Sequence, residues 1–398
     1  MNASNPEDLF GVARRLWPEP ARIDLTRRTP GAAEGARDWL VLPSVNRPWL
    51  LLPAASPSAA GTLLRDDHGQ RSPRLLRALA SLHRRKLLAR LPLSRLRVSD
   101  ADESDSIEVE LHRILGTSSA LVVRLGRRRW NRSVVLRPLD AAGDTLAFVK
   151  SAASPTGAEA LRRERDNLRR VAELGPRLVE WPEVMHHGCW RGLELLALSP
   201  LIGDKSATPR TKPPTASMRA LALAADNGSH ALGESAACQR WIPGAWELTS
   251  SAQRDQLIDG VDTVVSRLGD VDVPIGCWHG DWVPWNMTWH GDRVLLWDWE
   301  HFDEGVPVGF DGIHYRAQQL RMTNGTDRAA EDLWVRDATE WLLDTFQLEL
   351  RQIRAVVLAY LLEINLRYLR DRADDPRGIP PRDGWGLPLL GRLATEWN

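Results

Sequence analysis

The sequence predicts an α+β fold, and three features of its hydrophobic pattern support that class. Between residues 120 and 150, three short apolar runs are separated by turn residues, as in antiparallel strands. In residues 157–173, Leu161, Glu164, Leu168 and Val171 fall on one side at steps of three and four, which indicates a helix. Beyond Pro200 the chain becomes loop-rich and then mainly helical. We therefore expect an antiparallel sheet followed by a helical region, with a small α+β module before the sheet.

The N-terminal module is predicted to cover residues 1–105. It combines apolar runs at 39–43 and 49–53 with a basic helical segment near 72–91. The acidic, serine-containing stretch 99–105 reads as a solvated connection, although it could also lead into a helix. We place the first domain boundary there.

The central region, residues 106–199, is predicted to be a five-stranded antiparallel sheet with one helix, in the order β-β-β-α-β-β. Turn residues at 141–144 join two of the strands into a hairpin. The third region, residues 200–398, is predicted to be mainly helical, with Thr249 as a candidate N-cap. The predicted strands are 120–125, 133–139, 145–150, 184–186 and 193–198, and the later helices are 215–225, 249–268, 329–346 and 350–370.

Charge and composition restrict the function classes. The 52 basic and 52 acidic residues cancel, which argues against a dedicated nucleic-acid binder. No signal-peptide pattern and no apolar stretch of membrane-spanning length is found, so we expect no transmembrane segment. Cys189, Cys238 and Cys277 are odd in number and widely spaced, which favours neither a disulfide framework nor a metal knuckle. A cytoplasmic location is the simplest expectation.

Candidate catalytic residues are concentrated between positions 279 and 300. Phosphoryl transfer needs a carboxylate to deprotonate the acceptor hydroxyl and hard oxygen ligands for Mg²⁺. Asp281 is the candidate base, and Asn286 and Asp298 are the candidate metal ligands. The apolar run 293–297 reads as a buried strand that leads to Asp298. Single Asp and Asn residues usually serve as caps or turns, but the order and spacing of these three favour catalysis.

These residues carry a resemblance to a known family. The run His279-Gly280-Asp281 followed by Asn286, and then Trp297-Asp298-Trp299-Glu300, resembles the aminoglycoside phosphotransferase and choline kinase group, including maltokinase-like sugar kinases. The resemblance covers roughly residues 110–370. It implies a protein-kinase-like two-lobed fold, with an antiparallel N-lobe and a mainly helical C-lobe, and ATP and Mg²⁺ as cofactors.

The same resemblance implies roles for individual residues. Asp281 would be the catalytic base, Asn286 and Asp298 the metal ligands, and His279 a mainly structural residue that holds the loop by hydrogen bonding. Further along the chain, Asp311 fits the family pattern together with Gly305 and Pro307, where we expect a turn and the start of a helix.

Lys150 and Glu164 are the candidate pair for the nucleotide phosphates. Lys150 ends the third predicted strand, where the related fold places a lysine on the α- and β-phosphates. The chain has four lysines among 52 basic residues, which makes this position informative. Glu164 on the following helix is the candidate partner, and Glu159 could compete for the lysine.

The remaining nucleotide contacts are less regular. The phosphate-covering loop is expected at 126–132 and begins at Gly126, but it is rich in arginine and lacks the pattern of a glycine-rich loop, so a solvated hairpin tip is an equal alternative. By resemblance, adenine would meet the backbone of residues 196–200, including Ala197 and Ser199.

The acceptor pocket is predicted from the aromatic residues of the catalytic segment. Trp282 and Trp285 lie within the loop that must face the acceptor, and an indole face can stack on a sugar ring or hold a cation. Glu300 is a candidate for a hydroxyl or amine contact. For each of these tryptophans, however, packing in the core is the favoured interpretation.

The sequence therefore predicts an ATP- and Mg²⁺-dependent phosphotransferase that acts on a small-molecule hydroxyl, such as that of a sugar, an aminoglycoside or another alcohol. The alternative is a nucleotide-binding pseudokinase or scaffold that uses the N-terminal module for a partner or membrane surface. The basic segment 71–97 could make such a contact, although a helix packed on its own domain is the favoured interpretation.

Overall fold

The computed structural model describes residues 7–26, 35–65, 73–100, 105–116, 119–125, 134–203, 213–225, 228–249, 251–323, 327–373 and 386–397. The strands are β1 (Arg22–Thr26), β2 (Arg37–Leu42), β3 (Leu50–Pro53), β4 (Arg95–Ser99), β5 (Ala120–Leu125), β6 (Val134–Leu139), β7 (Phe148–Ala152), β8 (Val179–Glu180), β9 (Val184–Trp190), β10 (Leu193–Leu198), β11 (Ser229–Ala231), β12 (Asp272–Trp278), β13 (Met287–His290), β14 (Arg293–Leu296) and β15 (Asp303–Pro307).

The helices are α1 (Glu7–Leu16), α2 (Thr62–Arg65), α3 (Pro73–Arg84), α4 (Ile107–Leu115), α5 (Pro155–Leu174), α6 (Thr215–Ala222), α7 (Ala236–Trp246), α8 (Ala252–Leu268), α9 (Phe310–Thr323), α10 (Arg328–Phe346), α11 (Leu350–Ala373) and α12 (Gly386–Glu396). The chain forms two compact units. The first comprises residues 1–165 and 182–200, and the second comprises residues 166–181 and 201–398.

The first unit contains one nine-stranded sheet in the order β1-β4-β2-β3-β5-β6-β7-β10-β9. All of its strand pairs are antiparallel. Alternating side chains of the strands fill two apolar clusters, one on each set of alternate positions. Leu51 and Leu195, for example, belong to one cluster, and Leu50 and Leu139 belong to the other.

The predicted five-stranded part of this sheet is confirmed. Within this sheet, β5, β6 and β7 precede helix α5, and β9 and β10 follow it, which is the predicted order; the short strand β8 between α5 and β9 belongs to another sheet. The predicted hairpin is also present, because β6 and β7 pair across the turn that contains Gly143. Gly143 has φ +88°, and a Cβ there would lie 2.4 Å from the backbone oxygen of Ser58, so glycine is required at this turn.

The N-terminal module contributes to the same sheet. Strand β3 pairs with β5 through Leu50 with Arg124 and Leu51 with Val123. Sequence periodicity identified the strands but carries no information about which edges join. The strands on both sides of residue 105 lie in one sheet and one compact unit. The predicted domain boundary there stays a prediction.

Residues 73–84 of the basic segment form helix α3, which packs on its own unit, whereas Arg95 and Arg97 at the end of the segment lie in strand β4. Leu76 and Ala80 are buried, whereas Arg77 and Arg84 are exposed. His83 is also buried and contacts the backbone oxygen of Ser56 at 2.9 Å. Residues 71 and 72 lie outside the described ranges. This placement agrees with the favoured interpretation of an amphipathic helix whose charged face is solvated.

The second unit is mainly helical, as predicted, and it also holds two small three-stranded sheets, β11-β12-β15 and β13-β14-β8. Helix α11 packs against α7, α8, α9, α10 and α12, and its central residues 355–362 are all buried. The expected cap at Thr249 was wrong, because Ser251 caps α8 by accepting the N–H of Arg254 at 3.1 Å. No helix within the described ranges combines the length and apolar character needed to cross a bilayer.

Together the two units give the predicted α+β fold class. A large antiparallel sheet lies in the first unit, and the second unit holds most of the later helices together with short strands that precede the candidate catalytic residues along the chain.

Candidate active site

Lys150 and Glu164 form an ion pair in the first unit. The ammonium Nζ of Lys150, on β7, lies 2.7 Å from both carboxylate oxygens of Glu164, on α5. The Lys150 side chain is 15% exposed and that of Glu164 is 1% exposed. A pair so far removed from water is held in one geometry, because either charge alone would be costly to bury.

The competing partner for Lys150 is engaged elsewhere. Glu159 is 65% exposed and lies 3.6 Å from Arg162, one turn away on α5. Of the other candidate nucleotide contacts, Ala197 lies inside β10, where it pairs with Val149 of β7. Ser199 is bonded to the backbone of Glu183 through both its own N–H and its hydroxyl. Gly126 lies outside the described residues.

The candidate catalytic loop begins directly after β12 and needs a glycine at its second position. Gly280 has φ +85°, and a Cβ there would lie 2.3 Å from the backbone oxygen of His301. A side chain is therefore excluded both by the left-handed backbone and by the approach of the neighbouring chain. This explains why glycine separates His279 from Asp281.

His279 holds the loop through both of its ring nitrogens. Its Nδ1 accepts the N–H of Asp281 at 3.1 Å, so Nε2 carries the proton and donates to the backbone oxygen of Trp297 at 3.1 Å. Burial lowers the pKa of His279 to about 4, so the ring is neutral near pH 7, as this pattern requires. Both ring nitrogens of His279 therefore bond to the backbone, and its expected structural role stays a prediction.

Asp311 and Arg367 anchor the same loop from two helices. The carboxylate of Asp311, at the start of α9, accepts the N–H of His279 at 2.8 Å and that of Gly280 at 3.2 Å. The guanidinium of Arg367, on α11, donates to the backbone oxygen of Gly280 at 2.7 Å. Helices from distant parts of the chain therefore fix the backbone around Asp281.

The carboxylate of Asp281 is contacted at both oxygens. Oδ2 accepts the side-chain amide of Asn286 at 2.9 Å, and Oδ1 lies 3.3 Å from Nε2 of His314. The Asn286 amide also donates to the backbone oxygen of Asp281 at 3.0 Å. The Asp281 side chain remains 37% exposed, so a hydroxyl group has access to the held carboxylate.

The surroundings keep Asp281 ionised. Burial acts to raise the pKa of this carboxyl, but the pKa lies below its ordinary range, and the hydrogen bond from His314 and the positive charge of Arg367 are among the causes that lower it. A carboxylate in this setting is charged near pH 7 and can accept a proton in a transition state.

The hairpin of β13 and β14 brings the chain back from Asn286 to Asp298, next to the candidate catalytic loop. Strand β13 begins directly after Asn286 and pairs with β14, and the returning chain is fastened where the N–H of Trp297 donates to the backbone oxygen of Asn286 at 3.1 Å. Asp298 then takes a left-handed conformation, with φ 67° and ψ 58°. Such a backbone costs on the order of 1 kcal/mol or more for a residue other than glycine and is concentrated at functional sites.

Asn286 and Asp298 suit a magnesium ion by their chemistry. Because the amide nitrogen of Asn286 donates twice to Asp281, its carbonyl oxygen points away from that residue. An amide oxygen and a carboxylate are hard ligands, and Mg²⁺ is typically bound by one or two such groups together with substrate phosphates. The residues therefore fit the predicted metal.

The structure separates the candidate acceptor contacts. Trp282 is fully buried, and its indole N–H contacts the sulfur of Met287 at 3.4 Å, so its ring offers no open face and its predicted stacking role is replaced by core packing. Trp285 is half-buried. Glu300 is 41% exposed and lies 3.7 Å from Nε2 of His301. Trp285 and Glu300 therefore remain candidates for the acceptor.

Three residues of the site were missed at the level of sequence. His314 and Arg367 contact Asp281 or its loop, and Tyr360 contacts His314 at 3.0 Å. For His314 a signal existed, since it follows Asp311 by three residues and so lies on the same side of α9. Tyr360 and Arg367 lie on a predicted helix with no local signal that relates them to residue 281.

Comparison with known proteins gives structural likeness without a sequence match. No protein-family model and no curated protein matches the chain. Solved structures of small-molecule kinases are similar to it. One is a thermostable mutant of aminoglycoside phosphotransferase APH(4)-Ia with ADP and hygromycin B, at 15% identity and a TM-score of 0.46, covering 73% of this chain and 98% of that one.

Two further structures are a choline/ethanolamine kinase family protein from Mesorhizobium loti and choline kinase LicA from Streptococcus pneumoniae. The first is 17% identical, with a TM-score of 0.43, and the match covers 72% of this chain and 93% of that one. The second is 15% identical, with a TM-score of 0.44, and the match covers 72% of this chain and 95% of that one. At these values we draw no activity from the likeness.

Proposed function

We propose that this chain transfers the γ-phosphoryl group of ATP to the hydroxyl group of a small molecule, with Asp281 as general base. The observation that carries the proposal is the arrangement of Asp281 and Asn286, which share one loop and are hydrogen-bonded at 2.9 Å. Phosphoryl transfer depends on positioning and on charge neutralisation more than on covalent chemistry. A held, ionised and partly exposed carboxylate beside a metal-ligand amide supports that reaction.

The chain's own residues supply three functions. Asp281 accepts the proton of the acceptor hydroxyl as the hydroxyl oxygen bonds to the γ-phosphorus and the bond from that phosphorus to the bridging oxygen of ATP breaks, which releases ADP. Asn286 and Asp298 provide oxygen ligands, and Lys150, held by Glu164, provides a positive charge for phosphate oxygens. When bound, magnesium-ATP supplies the phosphoryl group and the cation that neutralises its charge. The acceptor is a sugar, an aminoglycoside or another small alcohol.

The test is phosphorylation by the pure protein. We would incubate it with Mg²⁺ and either ATP or GTP, add pooled sugars, aminoglycosides and other alcohols, and search by mass spectrometry for products that have gained one phosphate. Asp281→Asn is expected to lower kcat by roughly 10²- to 10⁴-fold, the usual contribution of a general base. Asp298→Ala should abolish both transfer and slow ATP hydrolysis.

The matched control is Asp270→Asn, because Asp270 is 70% exposed and pairs with Arg351 at the surface. This variant should retain wild-type activity. Full activity in Asp281→Asn would remove Asp281 as the base. Tight ATP binding by the wild type, without transfer to any acceptor and without hydrolysis, would instead favour the pseudokinase or scaffold.

A further inference from the structure

A buried histidine and a buried tyrosine lie directly behind Asp281. His314, on α9, is fully buried, and its Nε2 lies 3.3 Å from Oδ1 of Asp281. Its Nδ1 lies 3.0 Å from the hydroxyl of Tyr360, on α11, which is 1% exposed. The three side chains form a continuous chain of hydrogen bonds from the helical core to the candidate base.

The direction of these bonds follows from the chemistry of the partners. Asp281 is an ionised carboxylate and only accepts, so Nε2 of His314 must carry the proton. In the neutral ring Nδ1 is then an acceptor, which leaves the hydroxyl of Tyr360 as its donor. The opposite tautomer would place two acceptors 3.3 Å apart. One neutral arrangement therefore satisfies every group.

The ionisation of the groups agrees with this order. Burial lowers the pKa of His314, although the hydrogen bond and charge of Asp281 act to raise it, and the nearby positive charges of Arg367 and Arg321 also lower it. Burial raises the pKa of Tyr360 well above its ordinary value, so the phenol keeps its proton. Both side chains are therefore neutral near pH 7.

The contact between His314 and Asp281 restricts the rotation of the Asp281 carboxylate, and its orientation matters for proton transfer. A carboxylate rotates readily about its last bond, and the Asp281 side chain is 37% exposed, so solvent alone would not fix its plane. Asn286 holds Oδ2 and His314 holds Oδ1. With both oxygens held, the carboxylate plane is set relative to the loop. Placement errors of about 1 Å at a reacting group can lower rates on the order of 100-fold.

We propose that His314, oriented by Tyr360, is a positioning residue that sets the carboxylate plane of Asp281 for attack by the acceptor hydroxyl. This inference rests on the proposed phosphoryl transfer and adds two residues to it. It assigns no proton transfer to either of them. His314 acts through Asp281, and Tyr360 acts through His314 by donating to the nitrogen that faces away from the carboxylate.

The test is a set of single and double substitutions measured under conditions in which the wild type transfers phosphate. His314→Leu removes both nitrogens and should lower kcat by roughly 10- to 100-fold with little change in KM, because the contact acts on the base and not on substrate binding. His314→Gln retains an amide donor near the position of Nε2 and should recover activity to within about 10-fold of the wild type.

Tyr360→Phe tests whether Tyr360 acts on Asp281 through His314 or only packs in the core. It should lower kcat in the wild-type background but have no further effect in the His314→Leu background, because residues that act through one another are not additive. Two controls match the chemical changes. Tyr315→Phe removes the hydroxyl of a different buried tyrosine, which lies on α9. His83→Gln replaces a buried histidine of the first unit. Both should keep wild-type activity.

The outcomes distinguish this inference from the proposed function. If the wild type is active and His314→Leu, folded by its melting curve, is equally active, the positioning role is overturned and the proposed function stands. Equal effects of Tyr360→Phe in both backgrounds would also overturn it. Nitrogen NMR of histidine-labelled wild type should show His314 as the neutral ring protonated at Nε2. An imidazolium, whose Nδ1 cannot accept from the Tyr360 hydroxyl, would overturn the orienting role of Tyr360. A wild type inactive on every acceptor overturns both proposals.

Discussion

Replacing Asp311 with asparagine tests how the catalytic loop is held. The carboxylate of Asp311 is 3% exposed and accepts the N–H groups of His279 and Gly280. Burial raises its pKa to about 7, although the two backbone bonds and the charge of Arg367 act to lower it. Asparagine has the same shape, keeps one carbonyl oxygen and does not ionise. The substitution therefore removes the charge together with one of the two backbone hydrogen bonds, because an amide nitrogen cannot accept an N–H.

The sign and size of the effect follow from the pKa. The ordinary value for the carboxyl is 3.8, so between that pH and about 7 the folded chain keeps a proton that the unfolded chain has released. The free energy of unfolding of the wild type then falls as the pH rises, by about 1.4 kcal/mol per pH unit. Over a shift of about three units the loss approaches ~4 kcal/mol. Outside that window the contribution of Asp311 is constant.

The assay compares the unfolding of the wild type and Asp311→Asn by urea or heat at steps from about pH 4 to pH 8. The difference at each pH cancels the titration of the other groups. We expect the free energy of unfolding of the wild type, relative to that of the variant, to fall by ~4 kcal/mol across the window. The backbone hydrogen bond that the variant lacks adds a constant ~1–3 kcal/mol in favour of the wild type at every pH. Asp255→Asn, at a side chain that is 60% exposed, is the matched control. A difference that stays flat or grows between pH 4 and pH 7 would refute the reasoning.

Two further predictions concern the backbone and the thiols. Gly280→Ala should lower both the melting temperature and the activity, because its Cβ would meet the backbone oxygen of His301 at 2.3 Å, whereas Gly291→Ala, at φ +56° with nothing within 4 Å, should cost only on the order of 1 kcal/mol of backbone strain. Equal melting temperatures for the two variants would contradict this. Cys189 is exposed and should react with a thiol reagent in the native protein, while Cys277, whose pKa burial raises to about 12, should react only after unfolding. Peptide mapping measures both, and rapid native labelling of Cys277 would contradict its burial.

Much of the secondary structure could be read from local patterns. The strand and helix order of residues 120–198 was predicted because the periods of strands and helices are local properties of the chain. Helix α7 was missed, since Pro243 lies inside it and interrupts the expected pattern. Trp282 was a stacking candidate for which core packing was the favoured interpretation, and it is buried; the sequence gives the position of an indole but not its direction.

By itself, the sequence determined the kinds of groups at the candidate site and their order: a carboxylate at Asp281, an amide at Asn286 and a second carboxylate at Asp298 after an apolar strand. The tertiary structure alone decided what holds them. The contacts of Asp281 with His314 and of Gly280 with Arg367 span 33 and 87 residues. Spacing along the chain encodes a period and a turn, whereas such contacts depend on how separate helices pack, and packing is settled by the whole apolar core at once.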